Sequence, residues 1–411
     1  MTNLFSTERM DKKVICIAGK NNIAINIALY IKKFYKEFKL IACCNVNDDG
    51  KNTFQRSFKN FCILNDIEIV ELKSLYNIKD LIFFSLEFDK IIKPELFSTQ
   101  KLYNIHFSYL PEYKGMYTSA LPILNGENYT GVTLHKIDAG IDTGDIIQQE
   151  KIQLKKDITA QQLYFKYIEY GTVLVKNNIK DILYDQFDSQ QQNFHKSSYY
   201  SKAAIDYSDI KINLNATAFQ IKNQIQAFTF PAYQLPIIFN HHIYRAEIQD
   251  QKSVGKAGKL LCDEEFCFLI STIDYNIKLF KDLRKDLFEI AEEGDIKKLL
   301  YFSKNGYDIY QRSSQGWDIA IIAAYNGKLE FLNYLLQEFD WNIDTENNNG
   351  TSLIMYLMTY CSINDKPNIL HDFLKSQTPQ KDQKDFFNKD ITYYAKKYNN
   401  TEVIKIIKEY F

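Results

Sequence analysis

Three side chains near the middle of the chain have the types and spacing for acyl chemistry at an amine. Asn104 and His106 stand two residues apart in the run Leu102-Tyr103-Asn104-Ile105-His106. On an extended strand, residues two apart face the same side, so the amide and the imidazole share one cleft. A neutral imidazole takes up a proton from an attacking amine near pH 7. An asparagine amide donates to an oxygen that gains negative charge, as an oxyanion hole does. Asp142 lies in a turn flanked by Gly140 and Gly144. From there a carboxylate can meet the far nitrogen of the ring, fix its tautomer and favour the imidazolium. Asn-x-His alone is a weak pattern, and one histidine beside an apolar strand is usually structural. His135 is read in that structural way, and Asp138 is the nearest rival to Asp142.

The elements that must position these groups can be read from the flanking sequence. After the strand come a break at Leu110-Pro111, a turn at Lys114-Gly115, a helix-like run from Ser119 to Leu124 and a strand-like run from Gly131 to Ile137. Upstream, Lys13 to Gly19 reads as a buried strand, and Asn22 to Phe34 as a helix with apolar residues at Ile23, Ile27 and Ile31. Leu40 to Asn45 is a second strand. It runs into a polar loop from Asn47 to Asn52, after which Thr53 to Phe58 opens a helix. Leu81 to Leu86 is a further apolar strand, and Thr159 to Asp181 has helical spacing at Leu163, Ile168 and Val173. Strands alternating with helices imply an α/β fold with a parallel sheet, whose ligands bind at the carboxyl ends of the strands. Lys20 sits where the first strand meets a helix N-terminus, a position suited to anions. No G-x-G-x-x-G is present there, so a classical dinucleotide site is disfavoured. In the next loop, Arg56 could pair with a phosphate and Phe54 could stack on a base.

Composition narrows the partners. A chain of 411 residues suits two or three domains. A net charge of −1 supplies no general affinity for nucleic acid or an acidic membrane surface. Seven cysteines without paired spacing suggest reduced thiols, and without a C-x-x-C pair no metal site is expected. The N-terminus has no long apolar h-region, and no run of about 18 apolar residues occurs, so a soluble, cytoplasmic protein is expected.

The joint pattern NIHFSYLP, KGMYTSALPILNG and GVTLHKIDAGIDTGDII resembles the folate-dependent formyltransferases, which include methionyl-tRNA formyltransferase. The resemblance implies a Rossmann-like catalytic domain and places the family's catalytic residues on Asn104, His106 and Asp142. It implies 10-formyltetrahydrofolate as donor, tetrahydrofolate as product, and no metal. GKNNIA at Gly19 to Ala24, DDGKNTFQRSF at Asp48 to Phe58 and SLEFDKII at Ser85 to Ile92 are similar to the branch that formylates dTDP-amino-dideoxy sugars. On that likeness, Lys20, Asn21, Asn47, Asp49, Gln55 and Arg56 hold the nucleotide. Phe84, Glu87, Phe88, Asp89 and Asp138 face the folate, partly through main-chain groups. Tyr200 and Tyr233 are candidates for hydroxyl contacts to the sugar. The attached repeats lean the expected substrate toward a 3-amino-3,6-dideoxyhexose over a 4-amino one, for O-antigen or other surface polysaccharide. A homodimer is the family's usual state.

Three domains are expected: a catalytic domain over residues 1–200, a small β-rich subdomain over 201–283 that completes the substrate cleft, and a helical repeat domain over 284–411. In the last, Ala291 and Gly294 recur as Ala324 and Gly327, a period of about 33 that matches ankyrin repeats. Such arrays bind proteins. Trp317, with Arg312, Tyr310 and Tyr325 nearby, could instead stack a nucleobase and hold a diphosphate, making an accessory nucleotide-sugar site. Packing of Trp317 between repeats is the competing reading.

Overall fold

The computed structural model describes residues 13–411. Residues 1–12, which open the expected catalytic domain and lack an h-region, lie outside the described residues. The described residues form two compact units: residues 13–52, 56–212 and 219–230 make the first, and residues 53–55, 213–218 and 231–411 make the second.

The first unit is built on a seven-stranded sheet. Its elements in chain order are β1 (Val14–Gly19), α1 (Asn21–Phe34), β2 (Lys39–Cys44), α2 (Phe58–Leu64), β3 (Glu68–Ile69), β4 (Leu81–Leu86), β5 (Leu102–His106), β6 (Lys114–Gly115), α3 (Leu121–Leu124), β7 (Tyr129–Lys136), β8 (Ile146–Gln153), α4 (Ala160–Leu183), β9 (Tyr199–Tyr200) and α5 (Ala218–Phe228). The strand order is β3-β2-β1-β4-β5-β7-β8. The first five strands run parallel, whereas β7 pairs antiparallel with β5, and β8 with β7. The expected parallel sheet is thus a mostly parallel one, with an antiparallel edge at β7 and β8. No helix intervenes between β7 and β8, so β8 can only return antiparallel beside β7.

The pleat sorts the side chains. Ile15 and Ile17 of β1, with Tyr103 and Ile105 of β5, enter the large core shared with α1 and α4. Cys16 and Leu102 enter a smaller core on the opposite face with Cys43, Phe83 and Phe97. Asn104 and His106, in step with Leu102, are thereby carried on the face away from α1 and α4. A capping box fixes the start of α4: Thr159 accepts from the Gln162 amide, and the Gln162 side chain accepts from the Thr159 amide. The helix expected from Thr53 begins later, at Phe58, because Asp48 draws the chain back by accepting from Gly50 N, Ser57 Oγ and Lys59 N.

The second unit joins a five-stranded antiparallel sheet to a helical array. Its strands are β10 (Ile237–Ile238), β11 (His241–Lys252), β12 (Leu260–Asp263), β13 (Cys267–Ile270) and β14 (Tyr275–Lys281), in the order β10-β11-β14-β13-β12. Four helical hairpins follow: α6 (Arg284–Glu293) with α7 (Ile296–Lys304), α8 (Ile319–Tyr325) with α9 (Leu329–Glu338), α10 (Leu353–Ile363) with α11 (Pro367–Ser376), and α12 (Ile391–Tyr398) with α13 (Thr401–Tyr410). Phe266 packs edge-on to Phe302 at 5.1 Å and Tyr244 meets Tyr307 at 5.6 Å, so sheet and array share one core. The expected boundary at residue 200 moves downstream, since the chain stays with the first unit to Ile212 and returns to it through α5. Among the described residues, no helix is long and apolar enough to cross a membrane.

Candidate active site

Asn104, His106 and Asp142 do meet. The Asp142 carboxylate stands with Oδ2 3.4 Å from His106 Nδ1 and with Oδ1 3.4 Å from Asn104 Nδ2. The turn that delivers it is bound at three points. Asp138 Oδ1 accepts from Gly140 N at 3.1 Å and from Thr143 Oγ1 at 2.6 Å, closing the turn on itself. Gly115 N donates to Asp142 Oδ2 at 2.9 Å. Gly115 has a φ of +86°, and a Cβ there would lie 2.3 Å from the Tyr200 carbonyl oxygen, so only glycine brings this N–H to the carboxylate. Gln192 Nε2 donates to the carbonyls of Asp142 (2.9 Å) and Gly144 (2.8 Å) from below the turn.

Burial by itself would raise the Asp142 carboxyl. His106, His135 and the Gly115 N–H outweigh that, and hold it well below the usual carboxylate range. Lys114 is also lowered, but by burial itself, while Asp142 and Asp138 oppose the change.

Two details depart from the sequence reading. First, His106 does not leave its second nitrogen open. Nε2 stands 2.8 Å from the Tyr113 carbonyl oxygen while Nδ1 faces Asp142. Each ring nitrogen thus faces an acceptor, and one neutral tautomer can satisfy only one of them. Second, His135 is buried as expected but belongs to the constellation. Its Nδ1 donates to the Lys136 carbonyl at 2.7 Å, which leaves Nε2 to accept from Asn104 Nδ2 at 3.1 Å. Nε2 is also 3.7 Å from Asp142 Oδ1. Thus one amide hydrogen of Asn104 is committed to His135. The other points along a longer, weaker contact to Asp142 that an incoming oxyanion can replace.

The strand ends beside this centre hold the other expected residues. Glu87 takes a left-handed φ of 60° directly after β4. Its carboxylate accepts from Tyr164 Oη at 2.7 and 2.9 Å and from Asn21 Nδ2 at 3.5 Å, and its carbonyl accepts from Asn45 Nδ2 at 2.9 Å. Burial pushes the Glu87 carboxyl up, against the opposing pull of Lys20, Tyr164 and Asn21. Glu87 and Asn21 are therefore brought together, with Lys20 beside them. Asp89 accepts from Val46 N at 3.0 Å, and Phe88 packs 6.4 Å from Phe83. Phe84 is a correction: its side chain is fully buried against Tyr103 and cannot touch a ligand. Asp138 is committed to its turn, beside a groove of about 640 Å³ that Lys101, Lys136 and Asp145 also line.

Arg56 is buried, with Nε on Asn22 Oδ1 at 3.1 Å and Nη2 on Asn26 Oδ1 at 3.2 Å; burial lowers its guanidinium to about 10. Asn47 and Asp49 are exposed on the loop after β2, and Asp49 accepts from Lys51 N. Tyr200 stacks on Tyr113 at 5.4 Å, with the rings 15° from parallel. Gln55 and Tyr233 lie in the second unit, where Gln55 is buried and Tyr233 is exposed, edge-on to Phe54 at 5.1 Å. In the helical array the three aromatic residues proposed divide between two ring clusters, and Arg312 is hydrogen-bonded elsewhere. Trp317 packs on Tyr356 at 4.7 Å and on Tyr325 at 5.3 Å, whereas Tyr310 stacks on Trp341 at 4.7 Å. Arg312 donates to Asp318 Oδ2, Thr345 Oγ1 and the Glu346 carbonyl. Among the described residues, no group of three or more histidine, cysteine, aspartate or glutamate side chains could hold a metal ion.

A mostly parallel α/β sheet with an amide, an imidazole and a partly buried carboxylate converging on one face has the groups that acyl transfer needs. Comparison with known proteins agrees. The sequence profile of the formyl transferase family matches residues 71–176. The crystal structure of WlaRD, a sugar 3N-formyl transferase, in the presence of dTDP and 5-N-formyl-THF, is 45% identical with a TM-score of 0.62, over 66% of this chain and 98% of that one. The N-formyltransferase from Helicobacter canadensis, in complex with folinic acid and dTDP-3-aminofucose, is 43% identical with a TM-score of 0.62, over 66% and 100%. The methionyl-tRNA formyltransferase of Caldicellulosiruptor saccharolyticus is 30% identical over 229 residues, 54% of this chain and 70% of that protein. The chain belongs to the formyl transferase family, and it is an enzyme of that class with sugar N-formyltransferases as structural neighbours.

Proposed function

We propose that this chain is a sugar N-formyltransferase that transfers the formyl group of 10-formyltetrahydrofolate to the amine of a dTDP-linked 3-amino-3,6-dideoxyhexose. The observation that carries the reading is the convergence of Asn104, His106 and Asp142, with Asp142 Oδ2 3.4 Å from His106 Nδ1. The sugar and the donor are supported by the 45% and 43% identical structures, which hold dTDP or dTDP-3-aminofucose together with a formyl-folate. The residues present suit such a donor: Glu87 turns the chain with a left-handed φ at the carboxyl end of β4, and Tyr164 and Asn21 hold its carboxylate there, where a flat heterocycle can lie. When bound, that donor supplies an electrophilic formyl carbon.

In this reading the substrate amine displaces the Tyr113 carbonyl from His106 Nε2, and His106 takes the amine proton there. Asp142 then faces the imidazolium through Nδ1. Asn104, its amide oriented by His135, donates to the oxygen that becomes negative; as the formyl carbon–nitrogen bond of the donor breaks, the proton held by His106 passes to the departing nitrogen, which leaves as tetrahydrofolate. Arg56 and Lys20 serve the diphosphate. The four helical hairpins are read as an ankyrin-type array offering a protein surface or an accessory nucleotide-sugar site. The enzyme is read as a cytoplasmic homodimer feeding surface polysaccharide synthesis.

Turnover measured with four dTDP-amino sugars, with the amine at C3 or C4 in the gluco or galacto series, tests the reading. A 3-amino substrate is expected to have the highest kcat/KM. Preference for a 4-amino sugar overturns the regiochemistry, and formylation of methionyl-tRNA alone overturns the sugar assignment.

A further inference from the structure

A mostly irregular segment, with one 3-10 turn at Phe194–Lys196, leaves α4 at Leu183 and ends in β9. It touches the supports of both His106 nitrogens. Gln190 exchanges two backbone bonds with Ile146, each 2.8 Å, at the far end of the Asp142 turn. Gln192 lies under the turn with its two donated bonds to the Asp142 and Gly144 carbonyls. Ser198 Oγ then accepts from Tyr113 N at 2.8 Å, and Tyr200 stacks on the Tyr113 ring. Tyr113 is the residue whose carbonyl faces His106 Nε2.

Gln192 stands out among these groups. It is 5% exposed, and both of its strong contacts are to carbonyl oxygens, so the amide can sit only with nitrogen upward. Its Oε1 is buried without a hydrogen-bond partner among the described residues. Such an acceptor is unfavourable, yet a smaller or apolar residue would leave the two carbonyls unheld. The carbonyl it grips on Asp142 belongs to the residue whose carboxylate faces His106. Asp142 itself has a φ of 54°, a left-handed backbone that a non-glycine residue keeps only under external support.

We propose that Gln192 is a positioning residue for proton transfer: by tying the Asp142 and Gly144 carbonyls it sets the Asp142 carboxylate against His106. This rests on the N-formyltransferase reading for its link to turnover, but its structural content does not. A displacement of a positioned group by about 1 Å costs on the order of 10²-fold in rate. Gln192 touches no reacting atom, so the loss falls on kcat and leaves KM for both substrates within about threefold.

The test uses the full chain and three variants. Gln192→Met removes both donors at similar size. Gln192→Glu puts a carboxylate against two carbonyl oxygens. Gln226→Met removes a comparably buried amide on α5, which donates to the Lys156 carbonyl in the loop before α4, and serves as the structural control. Two readouts are taken: the pH profile of kcat, and the ¹⁵N spectra of the His106 and His135 rings. The titratable groups facing Asp142 are His106 from β5, His135 from β7 and Lys114 from β6, with Asp138 on its own turn. Losing the clamp loosens Asp142 from these partners, so the carboxylate no longer supports the base His106 in the same way and the acid limb of the profile shifts. Both Gln192 variants should show that shift, a kcat drop of about 10²-fold and altered His106 ring resonances, while Gln226→Met shows none. Unchanged ring spectra and an unchanged acid limb in folded Gln192→Met and Gln192→Glu overturn the proposal. If the wild type formylates no amino sugar, the functional reading fails separately, and the ring spectra still decide the role of Gln192.

Discussion

Replacing Asp142 by asparagine probes the site at its most connected atom. The side chain keeps its shape and loses its charge. In the wild type it accepts from Gly115 N at 2.9 Å and faces His106 Nδ1 at 3.4 Å. Charge-assisted bonds contribute ~1.5–3 kcal/mol where neutral ones contribute ~0.5–1.5, so the two contacts together weaken by about 2 kcal/mol. The new amide nitrogen would also face the Asn104 amide, donor to donor, across the 3.4 Å contact. The sign of the pH dependence follows from the carboxyl being held below its ordinary range. A carboxyl depressed in the folded state contributes stability that is fully present above its unfolded pKa of ~4 and fades as pH falls toward its folded one. Urea unfolding at matched pH values should therefore find the wild type more stable by about 2 kcal/mol from about pH 8 down to about pH 5, with the gap closing below about pH 4. Turnover of Asp142→Asn should fall ~10²–10⁴-fold, the range for losing acid–base assistance. A stability gap that stays constant to about pH 3, or turnover within about threefold of wild type, refutes the reasoning.

The other expectations concern the neighbours. His106→Ala and Asn104→Ala should each slow turnover, by ~10²–10⁴-fold and ~10²–10³-fold, with unchanged circular dichroism; near-normal rates in both would remove their assigned roles. Gly115→Ala puts a Cβ 2.3 Å from the Tyr200 carbonyl at a φ of +86°. It should destabilise the fold by ~1–3 kcal/mol and lower kcat through the lost N–H to Asp142; a neutral thermal melt would contradict this. Arg56→Lys cannot keep both bonds to Asn22 and Asn26, and KM for the sugar nucleotide should rise about tenfold, equivalent to ~1.4 kcal/mol, with kcat preserved. Tyr164→Phe removes the hydroxyl that opposes the rise of the Glu87 carboxyl. That carboxyl should climb further and KM for the formyl donor should increase; an effect confined to the sugar nucleotide would move Glu87 out of the donor site.

Much of the first unit was legible because its strands are buried on both faces. Val14–Gly19 and Leu81–Leu86 are continuous apolar runs, and α1 and α4 show their inner stripe in the spacing of isoleucine and leucine. Strand direction was not legible, since the residues of β7 look the same whether it runs with β5 or against it. The start of α2 was misplaced because Asp48, ten residues upstream, decides it. At the site, Asn104 and His106 followed from the period of a strand, and Asp142 from its glycine-flanked turn. The clamp by Gln192, the Tyr113 carbonyl at His106 Nε2 and the His135 bond to Asn104 had no local signal. They arise between segments 31 to 50 residues apart or from main-chain groups that any residue carries. Phe84 was placed at the folate although β4 is central in the sheet, where both faces are covered.

The most direct measurement is the rate of tetrahydrofolate release from 10-formyltetrahydrofolate with dTDP-3-amino-3,6-dideoxyhexose, for the wild type and the Asn104→Ala, His106→Ala and Asp142→Asn variants, with the formylated sugar identified by mass. Formylated sugar from the wild type and a loss of at least ~10²-fold in every variant is the expected result. Release that persists undiminished when any of the three side chains is removed, or that yields no formylated sugar, would contradict it.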